Sequence, residues 1–499
     1  MMRTILALFS ILILGLIAAA QQQGETQPTY VLRGKFADTD NNTYRALPFE
    51  VPAGTRRITI VFSHTQAEQR TVIDLGLYDT ERLRGWSGSD KKWFTISEVD
   101  ATPSYLPGPL QPGIWSLQLG VPNIRKGITS EYTAKIYLGN SEELPNIAET
   151  APIKIRTTPG WYEGDLHTHT GHSDGTCGSM NEKKVPCPEF RLLEKATALG
   201  FDFIAVTDHN TVSHHNALFQ WQPYFDRLLL IRGREITTFF GHANVFGTSA
   251  NIDFRVASGY TATDLAKAVR AAGGIISLNH PVRPSGEECM GCGWRAPVDY
   301  ALVDGVEAVN GIDPDTPYSG IPFWQARLNE GHRLTAIGGS DDHNLPEVPG
   351  LRGAVGFPTT VVYAAELSER AIIDGIKAGH VFLKTRGPKG PNVILKATSG
   401  SQTAMVGDNL RTGAGEELSF SVLVVGAANG QVEVIRDGNP VALLTDAYLK
   451  SADETLRFSV KSDGQRHWLR VNVRGADGML LALTNPIYEN FAERTGAKR

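Results

Sequence analysis

Several features are scarce in this chain, and each scarcity excludes something. Charge of one sign is missing: 48 Lys and Arg stand against 53 Asp and Glu, a formal net charge of −5. No basic stripe points to nucleic acid, and no acidic tail points to disorder. Internal repeats and low-complexity tracts are absent, which removes solenoids and arrays. After residue 20 no apolar run is long enough to cross a bilayer. Cysteine is rare, with four in 499 residues. What is present is ordinary for a folded protein of more than one core, and two to four domains are expected at this length. Glycine is abundant at 51 residues, which suits many turns and β-structure.

The first twenty residues differ from the rest. Arg3 precedes the apolar run Ile5 to Ala20, and "QQQGETQ" then turns polar. A positive start, a short apolar segment and three small residues read as a secretory signal, 1–20, cleaved after Ala20. The rival is an uncleaved anchor, but the run falls short of the roughly 20 residues a span needs. No cysteine follows it, which argues against a lipoprotein anchor. The expectation is an exported protein, periplasmic or extracellular, with no membrane span after cleavage. Export permits disulfides. Cys177, Cys187, Cys289 and Cys292 allow three pairings. Pairing between sequence neighbours, Cys177 with Cys187 and Cys289 with Cys292, is expected. A four-cysteine zinc knot and free thiols are the alternatives. No thioredoxin-like pattern surrounds "CMGC" to support a redox role.

Three stretches follow. Residues 27–156 carry short, partly alternating runs such as "RRITIVFSH", "GIWSLQLGV" and "YTAKIYLG", separated by turn residues. They predict an N-terminal β-sandwich. Residues 161–386 alternate strand-like and helical runs. "TATDLAKAVRAAGG" offers an N-cap threonine and a glycine stop. Repeated β-α units predict a mostly parallel sheet or barrel. Residues 388–499 return to short strands and predict a C-terminal β-sandwich. The fold class is therefore multidomain, α/β plus all-β.

Metal-capable side chains collect in the middle stretch, nearly all at the ends of expected strands. "GDLHTHTGHSDGTC" holds three histidines and two aspartates. His167 and His169 end one strand, Asp208 and His209 the next, and Glu235 ends "LLLIRGRE". His242 opens "HANVFG", His280 ends "GIISLNH", and Asp341 and His343 end "LTAIGGSDDH". In barrels and open α/β sheets the C-terminal strand ends share one face, so distant residues converge there. Residues two apart in a strand point the same way, so His167 and His169 can grip one ion. Gathering this many ionisable groups without a metal is costly. A metal cluster is the reading the residues support.

In order, "GDLHTHTGHSDG", "VTDHN", "GREIT", "GHANVFG", "LNHP" and "GGSDDH" resemble the motifs of the PHP (polymerase and histidinol phosphatase) superfamily, most closely its CehA/McbA-type branch. The resemblance covers about residues 161–390 and says little about the flanking β-domains. It implies a distorted (β/α)7 barrel with two or three divalent ions. Position by position it implies that His167, His169, Glu235 and Asp341 hold one ion. Glu235, His242 and His280 would hold a second, and Asp174, His209 and His343 a third. Catalytic roles are expected of His209, Glu235 and Asp341. His172 is an alternative to Asp174.

Imidazole and carboxylate ligands suit Zn, Mn or Fe, and no thiolate is in the set. Such ions acidify water to hydroxide near neutral pH, which would attack phosphorus or a carbonyl carbon. The expected protein is thus a metal-dependent hydrolase of a small-molecule ester, phosphoester first, with carboxyl ester, amide or carbamate as the alternative. Arg283 in "NHPVRP" either binds an anionic substrate or pairs on the surface. Asp208 and Asp342 neighbour ligands and would orient imidazoles. His214 and His215 read as polar loop residues. From a different class, the chain could be a carbohydrate- or surface-binding protein with a structural metal, stacking on Trp86, Trp93 or Trp115, although core roles for these three are the simpler reading. Oligomeric state is not legible.

Overall fold

A computed structural model describes residues 25–147, 155–287, 289–311, 314–345 and 353–492. The expected leader, 1–20, lies outside the described residues. Period-two alternation builds the N-terminal region. In Gly113–Asn123 the side chains of Trp115, Leu117 and Leu119 are fully buried, and their neighbours face outward. Two four-stranded antiparallel sheets result. One runs in the order Tyr30–Ala37, Thr129–Gly139, Arg57–His64, Trp93–Ser97. The other runs Thr43–Val51, Gly113–Asn123, Val72–Tyr78, Leu83–Gly88. Their facing sides share one core that includes Phe36, Ile60, Leu75, Phe94, Trp115 and Ile136. Trp115 is core, with its indole donating to the Gln111 carbonyl at 2.9 Å. Trp86 and Trp93 are half-buried.

The remaining chain forms a second body around one fifteen-stranded sheet, so the protein is mostly β with few helices. The central strands lie in the order Thr335–Gly339, Gly305–Asn310, Ile275–Asn279, Gly241–Phe246, Leu229–Thr238, Phe203–Val206, Gly160–Asp165, Thr359–Ala364, Val381–Lys384. The sheet is mixed. Phe203–Val206 runs parallel to both its neighbours, whereas Gly241–Phe246 is antiparallel to both of its own. The helices start and stop where their caps dictate. Thr261 accepts from the Asp264 amide and Asp264 accepts from the Thr261 amide, a reciprocal capping box on Ala262–Ala271. Gly200 ends Glu189–Leu199 in the left-handed conformation that glycine adopts without strain.

The expected distorted (β/α)7 barrel is not what the described residues form, because the ladder does not close. Thr335–Gly339 curls towards Thr359–Ala364, but side chains take the place of backbone pairing. Thr360 Oγ1 accepts from the Gly338 amide at 2.9 Å and donates to the Gly338 carbonyl at 2.7 Å. Asn485 does the same for Ala336, at 2.8 and 2.9 Å. On the other side the sheet continues past Val381–Lys384 into Leu480–Thr484, His467–Arg474 and Gln431–Arg436. The C-terminal β-structure is thereby hydrogen-bonded into the central sheet. A separate four-stranded sheet, in the order Gln402–Met405, Asn392–Ser399, Glu417–Val425, Asp453–Lys461, packs over it on Val422, Val434, Val471 and their neighbours.

Candidate metal centre

One edge of the central sheet collects the polar strand ends. His167 and His169 follow Gly160–Asp165, His209 follows Phe203–Val206, His280 follows Ile275–Asn279, and Asp341 and His343 follow Thr335–Gly339. Glu235 lies within Leu229–Thr238. His242 begins an antiparallel strand, and its pairing with Thr237 and Asn279 brings it to the same edge. The loops are stitched by backbone bonds from the Asp341 amide to the His167 carbonyl, 2.9 Å, and from the His169 amide to the Asp342 carbonyl, 3.0 Å. Beneath them the buried Asp165 carboxylate accepts from the amides of His167, Ser340 and Gly356 at 3.1, 3.1 and 2.7 Å. Burial lifts its pKa to about 6. His280 and Asp341 adopt positive φ, 27° and 59°, a costly backbone state that persists only where surroundings impose it.

The structure brings all nine expected ligand residues together. His167 Nε2 and His169 Nε2 are 3.1 Å apart, and each lies 3.3 Å from Asp341 Oδ1. Glu235 Oε2 stands 3.5 and 3.6 Å from the same two nitrogens. Its Oε1 is 3.3 Å from His242 Nδ1 and 3.4 Å from His280 Nε2. Asp174 Oδ1 is 3.5 Å from His209 Nε2 and 3.4 Å from His343 Nε2. Three groups have ligand atoms within 4.8 Å of one another: His167, His169 and Glu235; His169, Asp174, His209 and His343; and His242, His280, Cys289 and Cys292.

The donor chemistry fits divalent cations. Two imidazole nitrogens facing each other at 3.1 Å, with two carboxylates beside them, form a set of lone pairs converging on one point. His169 Nδ1 is buried without a hydrogen-bond partner, which is expensive unless another group satisfies the cluster, while Glu235 Oε2 meets His209 Nδ1 at 2.8 Å. Burial opposes ionisation of Glu235 and Asp341, yet the surrounding imidazoles, His167 foremost, hold both carboxyls well below the usual carboxylate range. Burial and the neighbouring His343 push His169 down to about 4, which keeps its lone pair available. His209 is raised to about 9, against its burial, by Glu235 and Asp174. A cation would take over the role these protons play.

Several contributors escape the sequence reading. Glu307, fully buried in Gly305–Asn310, accepts from His167 Nδ1, the His280 amide and Asn310 Nδ2, each at 2.9 Å. It fixes the His167 tautomer with Nε2 towards the cluster. Gly339 makes room for this contact, since a Cβ there would lie 2.3 Å from His167 Cβ and 2.6 Å from Glu307 Oε1. Asn279 donates to Glu235 Oε1 at 2.9 Å, and Thr237 Oγ1 lies 2.7 Å from His209 Nδ1. The signals available were faint: one acid in "DGVEAVNG" and the asparagine of "LNHP".

The other candidates resolve individually. His172 is turned onto Glu189 and Ser213. Asp208 orients no ligand imidazole; it holds the turn after His169 by accepting from Thr170 and Ser173 and contacts His214. Asp342 accepts from the Asn344 amide at 3.1 Å. His214 and His215 are not loop residues in solvent; both are fully buried with Nε2 3.0 Å from the Gly233 carbonyl, where they tie His215–Trp221 to the sheet. Arg283 lines the cavity wall, 3.3 Å from Asp341 Oδ2 and bonded to Asn310. Cys177 and Cys187 form one pair at disulfide distance, and Cys289 and Cys292 the other, with Cα atoms 4.9 and 5.5 Å apart. The second pair reaches the centre, with Cys292 Sγ 3.5 Å from His280 Nδ1 and the Met290 carbonyl 3.0 Å from His242 Nε2.

A cavity of about 1460 Å³ opens over the cluster, floored by Glu235, His242, His280 and Asp341. Among the described residues no helix is long and apolar enough to cross a membrane. No protein-family model matches this chain, and no curated protein matches it. Among solved structures it is similar to a two-domain protein from Bacteroides vulgatus, described as containing a predicted PHP-like metal-dependent phosphoesterase. That similarity is 19% identity over 66% of this chain and 96% of the other, with a TM-score of 0.37.

Proposed function

We propose that this chain is an exported, metal-dependent hydrolase of ester bonds, with phosphoesters as the first substrate class. The observation that carries the reading is the placement of Glu235 between two imidazole pairs, 3.3 and 3.4 Å from one pair and 3.5 and 3.6 Å from the other. In this reading His167, His169, Glu235 and Asp341 would hold one ion and Glu235, His242 and His280 a second. Asp174, His209 and His343 would hold a third, and the PHP-like motifs support the same division. Divalent ions there supply Lewis acidity towards the ester oxygen and lower the pKa of a water. The chain does the rest. Glu307 orients His167, Thr237 orients His209, and Asn279 orients Glu235. Arg283, held by Asp341 and Asn310 at the cavity wall, presents a fixed guanidinium suited to an anionic oxygen. The two cysteine pairs at disulfide distance are compatible with export. Residues 27–156, 161–386 and 388–499 would be the three units of this reading, the last two joined through one sheet.

A second reading, hydrolysis of an uncharged ester, amide or carbamate, is favoured by the engagement of Arg283 with Asp341, which already offsets its charge. The test is turnover of p-nitrophenyl phosphate, bis-p-nitrophenyl phosphate and an aryl ester by the metal-loaded protein, before and after chelation. Turnover that disappears with the metal is the expected result. Full metal content with no turnover on any ester would instead indicate a binding protein with a structural metal.

A further inference from the structure

Five large apolar side chains stand exposed around one opening. Phe239 and Phe240, at the hairpin turn before Gly241–Phe246, are 83% and 43% exposed; Phe254, Met290 and Tyr318 are 37%, 75% and 42% exposed. All five line the cavity that ends on Glu235, His242 and Asp341. They come from four separate segments, so no single amphipathic element explains them. Scattered exposed apolar residues need no explanation, but a set rimming a polar floor marks a ligand site.

The rim is held in place. Thr238 Oγ1 donates to the Gly241 carbonyl at 2.8 Å and accepts from the Phe240 amide at 3.0 Å. The Phe240 carbonyl accepts from the amides of Arg295 and Ala296 at 2.7 and 3.1 Å, and Arg295 Nη2 donates to the Phe239 carbonyl at 2.9 Å. Gly241, at φ 144°, lies so close to Trp294 that a Cβ would be 2.4 Å from its ring. Met290 is anchored by its own carbonyl on His242. At the hairpin and at Met290 the backbone is tied down while the side chains stay in water, an arrangement preorganised for an apolar partner.

We infer that this vestibule binds the non-reacting part of the substrate, and that this part is a large apolar group, aromatic or alkyl, whose ester bond reaches the metal centre. The inference rests on the hydrolase reading and adds the substrate's chemical class. The cavity, about 1460 Å³, exceeds the usual upper size of small-molecule sites, roughly 1,000 Å³. A group larger than one ring therefore fits.

The test uses alkyl p-nitrophenyl phosphodiesters and p-nitrophenyl esters of increasing chain length, with kcat/KM measured on the metal-loaded full chain. In parallel, binding of alkylphosphonates of the same lengths is followed by calorimetry, where hydrolysis plays no part. Both kcat/KM and phosphonate affinity should rise about two- to fourfold per methylene over the first several carbons. The F239A/F240A double variant and Met290→Ala should flatten that rise, with unchanged metal content as the control for folding. Flat rates and flat affinities in the unaltered protein would overturn the inference while leaving hydrolysis intact. Rising affinity with no turnover on any ester would keep the vestibule and remove the hydrolase reading. Binding to phosphatidylcholine vesicles that is lost in the double variant, with no chain-length dependence for soluble ligands, would assign the rim to a lipid surface and overturn the inference.

Discussion

Replacing Glu307 with glutamine keeps the shape of a buried side chain and removes its charge. Glu307 Oε1 faces His167 Nδ1, while Oε2 accepts from the His280 amide and Asn310 Nδ2, all at 2.9 Å. A glutamine has one acceptor oxygen and one donor nitrogen at its tip. If its oxygen serves His280 and Asn310, its NH2 opposes the His167 N–H. If it is flipped, its NH2 opposes two donors instead. With His167 Nε2 given to a metal, and Nδ1 therefore carrying the hydrogen, one mismatch or two is unavoidable in a fully buried site. Losing a hydrogen bond to a charged group is worth about 1.5–3 kcal/mol. Part of that falls on His167 as a ligand, so metal affinity should fall roughly 10- to 100-fold. The assay is competition with a chromophoric chelator, run beside circular dichroism to confirm the fold. Metal affinity in Glu307→Gln within about twofold of the parent would refute the claim that Glu307 sets the His167 tautomer, because the smallest expected loss is near tenfold.

Three further outcomes are expected. Arg283→Ala should lower turnover of a phosphodiester about tenfold or more, the loss of a charge-assisted contact, and change a neutral aryl ester much less; equal losses on both would make Arg283 a support for Asp341 alone. The metal-free protein should lose stability in acid. Glu235 and Asp341 are held well below the usual carboxylate range, so their contribution is present above the ordinary carboxylate pKa of about 4 and is lost as pH falls below it. A urea midpoint that stays constant through that window would contradict the assignment. Non-reducing mass analysis should find Cys177 linked to Cys187 and Cys289 to Cys292, each pair two hydrogens lighter than its thiols; a link between the two pairs would overturn this connectivity.

The elements that bring the site together were readable because local chemistry dictates them. His167 and His169 sit two apart at a strand end, and Thr261 with Asp264 writes its own helix start. What escaped depends on distant partners. Glu307 reads as a lone acid in an apolar run until His167, 140 residues away, is placed beside it. His214 and His215 read as loop polarity because nothing local announces the Gly233 carbonyl between them. The open ladder was equally hidden. Thr360 and Asn485 satisfy backbone groups that a closed barrel would pair, and a side chain's choice of a backbone partner across the sheet leaves no periodic trace. The pairing of Val381–Lys384 with Leu480–Thr484 joins segments nearly one hundred residues apart, and alternation alone does not specify which strand a strand will meet.

The central claim is that Glu235 lies between divalent ions, and the most direct test is the number of ions bound per chain, by elemental analysis, in the parent protein and in Glu235→Gln. The account predicts more than one ion in the parent and the loss of at least one in the variant, with the β-sheet circular dichroism of both unchanged. A parent chain that retains no ion, or a variant that retains the parent's full complement, would contradict it.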